Sequence, residues 1–281
     1  MGQTPKVVET VAALREETAR YRAEGSKLAI VPTMGALHEG HIALVKQAKA
    51  LARRVVVSIF VNPTQFAPNE DFSRYPRTLE RDLALLSEVD ADLVYLPSAA
   101  EMYPEGFATR IALSGPAEGL ESDFRPHFFS GVAIVVAKLF LQSEADFALF
   151  GEKDYQQLKV VTRMARDLDL KIEVVPLPTV REPDGLALSS RNRYLTPEER
   201  AVAPVISRAL NAAAAAIRAG TQPQAAVEEA RQTIAAAGLN VDYVEARHAE
   251  TLAPPEGLGE PIRLLAAAWL GKTRLIDNMP A

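Results

Sequence analysis

The sequence predicts an α/β protein in two parts. A parallel sheet with helices on both faces spans residues 1–178, and a smaller α+β C-terminal domain spans 179–281. Three observations predict it. The run Val55 to Val61 is β-branched with little alternation, as in a strand covered on both faces. Up to Pro178, short apolar runs alternate with amphipathic stretches of about ten to fifteen residues, the signature of βαβ units. Beyond Pro178 the order changes to Ala-rich helices followed by a group of strands.

In chain order, Val7 to Glu24 reads as a helix, with Val8, Val11, Leu14 and Tyr21 near helical spacing and Gly25 as its stop. Lys27 to Val31 reads as a strand broken at Pro32, and Ile42 to Arg53 as an amphipathic helix. Strand 55–61 runs into a loop at Asn62 to Phe66. Thr78 to Glu88 reads as helix and Asp92 to Leu96 as strand. Pro97 to Pro126, rich in Gly and Pro, reads mostly as connection. Val132 to Leu141 suits a helix, Phe147 to Phe150 a strand, Asp154 to Leu168 a helix and Ile172 to Val175 a strand. Thr196-Pro197-Glu198-Glu199 opens a helix with Thr as cap, Pro at the first position and Glu three residues on. Helices are expected over 197–218 and 223–237, then strands over 241–247, 262–270 and 273–276.

Composition excludes several classes of function. The chain has 281 residues and no cysteine, hence no disulfide framework, thiolate metal site or thiol nucleophile. Its net charge of -5 gives no general attraction to nucleic acid or anionic membrane, so anion recognition must be local. No apolar run is long enough to cross a bilayer, and the start, Met1 to Lys6, lacks a signal-peptide apolar region. A soluble cytoplasmic protein with no nucleic-acid or membrane partner is expected.

In such sheets, ligands bind outside the carboxyl ends of the strands. Three loops there carry the chemistry. The first, Thr33 to His41, is a glycine-bearing turn into a helix, whose unpaired N–H groups and positive dipole end suit a phosphate. It holds His38 and His41, two of only four histidines, at a spacing that allows both rings on one side. The alternative is two ordinary surface histidines. In the second, Gly151-Glu152-Lys153-Asp154-Tyr155-Gln156-Gln157, Lys153 offers a mobile charge to a phosphate, while Asp154 caps the helix or accepts ribose hydroxyls. In the third, Phe60 to Phe66, a polar amide between apolar residues suits a small hydroxylated substrate. Beyond the sheet, Leu188-Ser189-Ser190-Arg191-Asn192 supplies hydroxyl and guanidinium donors of the kind a triphosphate requires. Asp82 and Asp71 are candidate magnesium neighbours, although helix-surface carboxylates are common.

Together these strings resemble the pantothenate synthetase (pantoate–β-alanine ligase) family of the HIGH-type nucleotidyltransferase superfamily. The resemblance rests on Val31 to His41, Ser58 to Phe66, Tyr75-Pro76-Arg77-Thr78, Gly151 to Gln157 and Ser189 to Asn192. It ends with Ala267 to Gly271 and Arg274 to Asn278, and so covers nearly the whole chain in the family's order. It implies a Rossmann-like N-terminal domain, a smaller C-terminal domain acting as a lid, and a cytoplasmic homodimer. The implied reaction condenses (R)-pantoate with β-alanine, using magnesium-ATP, through a pantoyl adenylate.

Carried over by residue, the resemblance places ATP on Met34, Gly35, Ala36, Leu37, His38, Glu39, Gly40 and His41, on Gly151, Glu152, Lys153 and Asp154, and on Val180, Leu188, Ser189, Ser190 and Arg191. His41, with His38, Lys153 and Arg191, would be catalytic; Gln65 and Gln157 would bind pantoate, Gln65 also lying near β-alanine; Asp82 is the magnesium candidate. One departure stands out. The family has Gly-His-Phe after Arg-Pro, whereas His127-Phe128-Phe129 follows Arg125-Pro126 here, so that histidine's role is not transferred. The competing enzyme is another HIGH-type adenylyl- or cytidylyltransferase, which would share the His-bearing turn without needing an amine acceptor.

Overall fold

Strands buried on both sides need helices above and below, and the chain supplies them. The computed structural model describes residues 4–66, 72–257 and 259–281; Asp71, the second magnesium candidate, lies outside them. Contacts divide the chain into two compact units. The first comprises residues 1–113, 125–151 and 160–177, and the second 114–124, 152–159 and 178–281. The second unit therefore draws in two segments from the N-terminal part of the sequence, besides the C-terminal stretch.

The first unit is built on a six-stranded parallel sheet of β1 (Lys6–Val8), β2 (Leu28–Thr33), β3 (Arg54–Ile59), β4 (Leu93–Tyr95), β5 (Phe147–Gly151) and β6 (Glu173–Leu177), in the order β1-β4-β3-β2-β5-β6. Ala29, Val31, Val55, Val57 and Val94 share one core with Leu44, Val45 and Ala48 of α2 (Glu39–Leu51) and Leu86 of α3 (Leu79–Glu88). The alternate residues Leu28, Ile30, Val56 and Tyr95 are equally buried and face the other side, where α1 (Val11–Ala23) and α6 (Phe128–Ser143) pack. From β2 the chain runs outward through β3 and β4, then returns to β5 on the opposite flank. The switch point thus falls between β2 and β5, whose carboxyl ends lead to the His-bearing turn and to Gly151.

The structure corrects some expected elements. Lys6 to Val8 is an edge strand paired with β4, and the first helix starts only at Val11, with Thr10 as its cap. The strand before the His-bearing turn continues through Pro32 to Thr33, because pairing with β3 persists there while pairing with β5 ends at Ile30, so the missing proline N–H costs no ladder bond on that side. The stretch 97–126 is mostly connection, as expected, with the 3-10 turn Gly115–Ala117 and two short α-helices, α4 (Ala99–Met102) and α5 (Glu121–Phe124). The helix expected over 197–218 is two, α8 (Pro197–Val202) and α9 (Val205–Arg218), because Pro204 has no N–H to continue the first.

The second unit centres on an antiparallel sheet of β7 (Asn240–His248), β8 (Ile262–Leu270) and β9 (Thr273–Pro280), in that order. Leu264, Ala266, Ala268 and Leu275 meet Ala209, Leu210 and Ala213 of α9 and Ala226, Ala230 and Ile234 of α10 (Pro223–Ala236). The opposite face presents Arg263, Tyr243, Arg274 and Asn278, which bond to residues of 114–124 and 152–159. Both faces being covered explains why β8 reads as nearly continuous apolar sequence.

Candidate functional site

In the first unit the site begins at the end of β2. The Thr33 hydroxyl donates to the Ser58 carbonyl at 2.7 Å and accepts the Gly35 N–H at 3.2 Å, which turns the chain out of the sheet. Gly35 and Ala36 follow with φ of 80° and 51°, consecutive left-handed residues. A Cβ at Gly35 would lie 3.1 Å from Ile59 Cγ2 and 3.2 Å from Asp82 Oδ2, tighter than ordinary contact, so both conformation and space favour glycine. The successive N–H groups of Ala36 and Leu37 donate to Asp82 Oδ2 and Oδ1, each at 2.9 Å. Thr78 Oγ1 adds a bond to Oδ1 at 3.1 Å, and Asp82 is only 1% exposed.

That geometry corrects the magnesium expectation for Asp82. Both oxygens are turned into the protein and accept backbone donors, so the residue braces the turn. Among the described residues no group of three His, Asp or Glu side chains is placed to hold a metal ion.

His38 is the N-cap of α2. Its Nδ1 accepts the Gly40 N–H at 3.1 Å, and His41 Nδ1 accepts the His38 N–H at 3.3 Å. Each neutral ring therefore carries its proton on Nε2, a tautomer assigned from these bonds. The rings lie 4.1 Å apart, tilted by 41°. Two Nε2 donors thus stand beside a helix start whose dipole favours an anion, while the N–H groups of Gly40, His41 and Ile42 are already bonded to His38. Met34 is half-buried, and Glu39 is exposed in the first turn of the helix, where a carboxylate complements the dipole.

The loop after β3 is fixed by Asn62, which is buried. Its Nδ2 donates to the Gly131 carbonyl at 3.1 Å, and its Oδ1 accepts from Thr64 Oγ1 at 2.9 Å and Tyr103 Oη at 2.8 Å. A Cβ at Gly131 would overlap the Thr64 carbonyl oxygen, so α6 approaches this loop through a glycine. Gln65 closes the 3-10 turn Pro63–Gln65, and its carbonyl accepts from Arg125 Nη2 at 2.8 Å. The amide of Asn62 is thus an internal anchor, and its place between a strand and Pro63 is the turn-cap signal for that role in the sequence. His127 is exposed just before α6 and makes no side-chain cap bond.

In the second unit, Glu152, Lys153 and Asp154 form a 3-10 turn leading into α7 (Tyr155–Asp167). Asn278 Nδ2 donates to the carbonyls of Glu152 and Lys153 at 2.8 and 2.9 Å. The Lys153 ammonium stands 3.7 Å from Asp154 Oδ1. Gln156 is buried and holds Glu121 N–H, the Pro116 carbonyl and the Gly119 carbonyl, while Gln157, the expected substrate residue, is half-buried one position on. Val180 and Leu188 face each other across a small hairpin, the Leu188 N–H donating to the Val180 carbonyl at 3.0 Å. The hairpin delivers Ser189, whose Oγ accepts the Arg191 N–H at 3.2 Å and caps the 3-10 turn Ser190–Tyr194; Ser190 is buried. The structure thus gathers Met34 to His41 in one unit. It gathers Glu152 to Asp154, Val180 and Leu188 to Arg191 in the other, with Gln65 in the first and Gln157 in the second.

Comparison with known proteins gives consistent results. The family model described as pantoate-beta-alanine ligase matches residues 6–280. A pantothenate synthetase of Nitrobacter winogradskyi is 57% identical over 281 residues, with 99% of each chain covered. One of Mesorhizobium japonicum is 58% identical over 278 residues, covering 98% of this chain and 97% of the other. The crystal structure of pantothenate synthetase from Thermus thermophilus superposes with a TM-score of 0.92 at 49% identity, covering 98% of both chains. The pantoate-beta-alanine ligase of Francisella tularensis, complexed with beta-gamma ATP and beta-alanine, superposes with a TM-score of 0.84 at 34% identity, covering 98% of this chain and 97% of that one.

Proposed function

We propose, because the chain belongs to the pantoate–β-alanine ligase family, a division of labour among its residues in the ATP-dependent joining of pantoate to β-alanine. In the first step a pantoate carboxylate oxygen attacks the α-phosphorus of ATP. A P–O bond forms to the carboxylate, the bond to the β-phosphate oxygen breaks, and pyrophosphate leaves. In the second step the β-alanine amine attacks the activated carbonyl. The C–N bond forms, the amine proton is lost, and AMP departs with the bridging oxygen. The free product is pantothenate.

Charge builds on the departing pyrophosphate, so positioned donors do most of the work. The Nε2 groups of His38 and His41 meet phosphate oxygens beside the positive end of the α2 dipole, with His41 as the donor to the leaving group. Lys153 and Arg191 add positive charge, and Ser189 and Ser190 add hydroxyl donors. The backbone at Val180 and Leu188 and the turn Gly151 to Asp154 hold the rest of the nucleotide. Gln65 and Gln157 orient pantoate, and Gln65 receives the amine side of β-alanine. Magnesium would enter with the ATP substrate and neutralise phosphate charge; this ion commonly keeps several waters and needs no dedicated protein cage. The working form is a cytoplasmic homodimer, and residues 1–178 and 179–281 act as its two functional domains.

The observation that carries this reading is the paired Nδ1 acceptance at His38 and His41, which leaves Nε2 as the proton-bearing atom of each ring at a helix start. The deciding experiment is ATP–pyrophosphate exchange. Exchange should require pantoate and proceed without β-alanine, and adding β-alanine should release AMP. Exchange that ignores pantoate, or AMP transfer to a phosphate ester, would assign the chain to another HIGH-type nucleotidyltransferase. Nucleotide binding with no pyrophosphate release when all three substrates are present would make it a binding protein.

A further inference from the structure

We infer that Asn278, near the carboxyl end of β9, is a positioning residue for Lys153. The inference rests on the placement of Lys153 at ATP given above. Lys153 has a flexible stem, so its ammonium can be aimed only if its backbone is fixed. No regular ladder fixes it, because the 3-10 turn Glu152–Asp154 follows the end of β5. Asn278 supplies the missing restraint. One amide nitrogen donates both of its hydrogens to two successive carbonyls, those of Glu152 at 2.8 Å and Lys153 at 2.9 Å.

The amide oxygen and the backbone N–H of Asn278 are held as well. Arg263 Nε donates to Asn278 Oδ1 at 2.7 Å, which fixes the flip, and the same guanidinium reaches Glu152 Oε2 at 3.1 Å. Asp277 Oδ1 accepts the Asn278 N–H at 2.7 Å. Asp277 is in turn gripped by both Arg181 nitrogens, at 2.7 and 2.8 Å, and Arg181 lies in the hairpin that leads to Ser189 and Arg191. Adjacent residues of a strand point to opposite faces. Asn278 therefore seats the lysine turn on one face while Asp277 seats the hairpin on the other. Asn278 is 3% exposed, too deep to touch bulk solvent, yet its donors serve loop carbonyls and no strand partner. That is how a part built to set a loop would be wired.

The test is a cycle of Asn278→Ala and Lys153→Ala, read as single-turnover pantoyl-adenylate formation with the KM for each substrate. Asn278→Ala should slow adenylation on the order of ten- to a hundredfold, the scale of an ångström-level misplacement, with the KM for pantoate unchanged. In the Lys153→Ala background the same change should cost less than about twofold, because there is no ammonium left to misplace. A purely structural asparagine would lose the same factor in both backgrounds, and that result overturns the inference, as would a wild-type rate in Asn278→Ala. Should Asn278→Ala fail to fold, Arg263→Lys, which removes the Nε donor that orients the amide, serves in its place. It should show a smaller loss that again disappears with Lys153→Ala, and persistence of that loss overturns the inference equally. Full activity of Lys153→Ala alone would instead remove Lys153 from the proposed reaction.

Discussion

The Asp82 carboxylate accepts the backbone N–H groups of Ala36 and Leu37, one on each oxygen, both at 2.9 Å. An acid that the sequence offers as a metal ligand is instead the buried brace of the turn carrying His38 and His41. Asp82→Asn keeps one acceptor and sets an amide N–H against a backbone N–H. It should cost about 1–3 kcal/mol of stability, the range for leaving a buried donor unsatisfied. It should also weaken ATP more than pantoate, with the magnesium concentration for half-maximal rate unchanged. Denaturant melts and a magnesium titration check this; a marked rise in the magnesium requirement would return Asp82 to the metal.

His41 braces the turn through Nδ1, and the donor role proposed for its Nε2 is separable from that. His41→Ala should raise the adenylation barrier by about 2.7–4 kcal/mol, as for loss of one transition-state donor. It also strips the His38 N–H of its acceptor. An asparagine places an acceptor near the Nδ1 position, whereas a glutamine reaches toward Nε2. His41→Asn should therefore recover stability while remaining slow, and His41→Gln should recover rate more than stability. Rapid-quench measurement of adenylate, beside thermal melts of all three variants, gives the answer. Equal rates in the Asn and Gln variants would contradict the division.

Gly131 lies at the closest approach of α6 to the Asn62–Gln65 loop, where a side chain would collide with the Thr64 carbonyl. Gly131→Ala must push the loop or the helix away, at roughly 1–3 kcal/mol for overpacking. Since that loop presents Gln65, the KM for pantoate should rise while ATP binding stays close to normal. Gln65→Ala should show the same selectivity without the stability loss. Isothermal titration with each substrate and chemical denaturation separate the two; equal weakening of ATP and pantoate would detach Gln65 from the acid substrate.

How much of this was readable beforehand follows from the range of each interaction. Strand 55–61 and the turn from Thr33 to His41 are local patterns, and both appear within a residue or two of where the sequence puts them. Lys6–Val8 reads as the start of a helix because three residues carry too little periodicity to announce an edge strand. The contacts that build the candidate site are less legible. Asp82 reaches Ala36 across 46 residues and Asn278 reaches Lys153 across 125. Neither separation leaves any repeat in the sequence, and a buried acid bonded to N–H groups looks, as letters, like a surface acid. Gln156 and Gln157 illustrate the same limit: adjacent and chemically identical, they differ only in which way the helix turns them.

Tyr243 gives the second unit a specific alkaline weakness. Burial first, and then the Glu121 carboxylate that its hydroxyl bonds at 2.8 Å, push the phenol well above its ordinary value of 10. The folded protein therefore keeps Tyr243 neutral at a pH where the unfolded chain has released that proton. The associated stability is complete below about pH 10 and is lost as pH rises above it, at up to about 1.4 kcal/mol per pH unit for one such group. Burial raises Tyr21, Tyr95 and Tyr103 in the same direction, so the wild-type slope contains more than one phenol. Tyr243→Phe should be about 0.5–1.5 kcal/mol less stable near neutrality for the lost bond to Glu121, yet fall less steeply above pH 10, so that the two stability curves converge. Urea melts from pH 8 to about pH 11 measure both slopes. Parallel curves would mean that Tyr243 ionises as readily in the fold as outside it, and that its bond does not hold the 114–124 segment to β7.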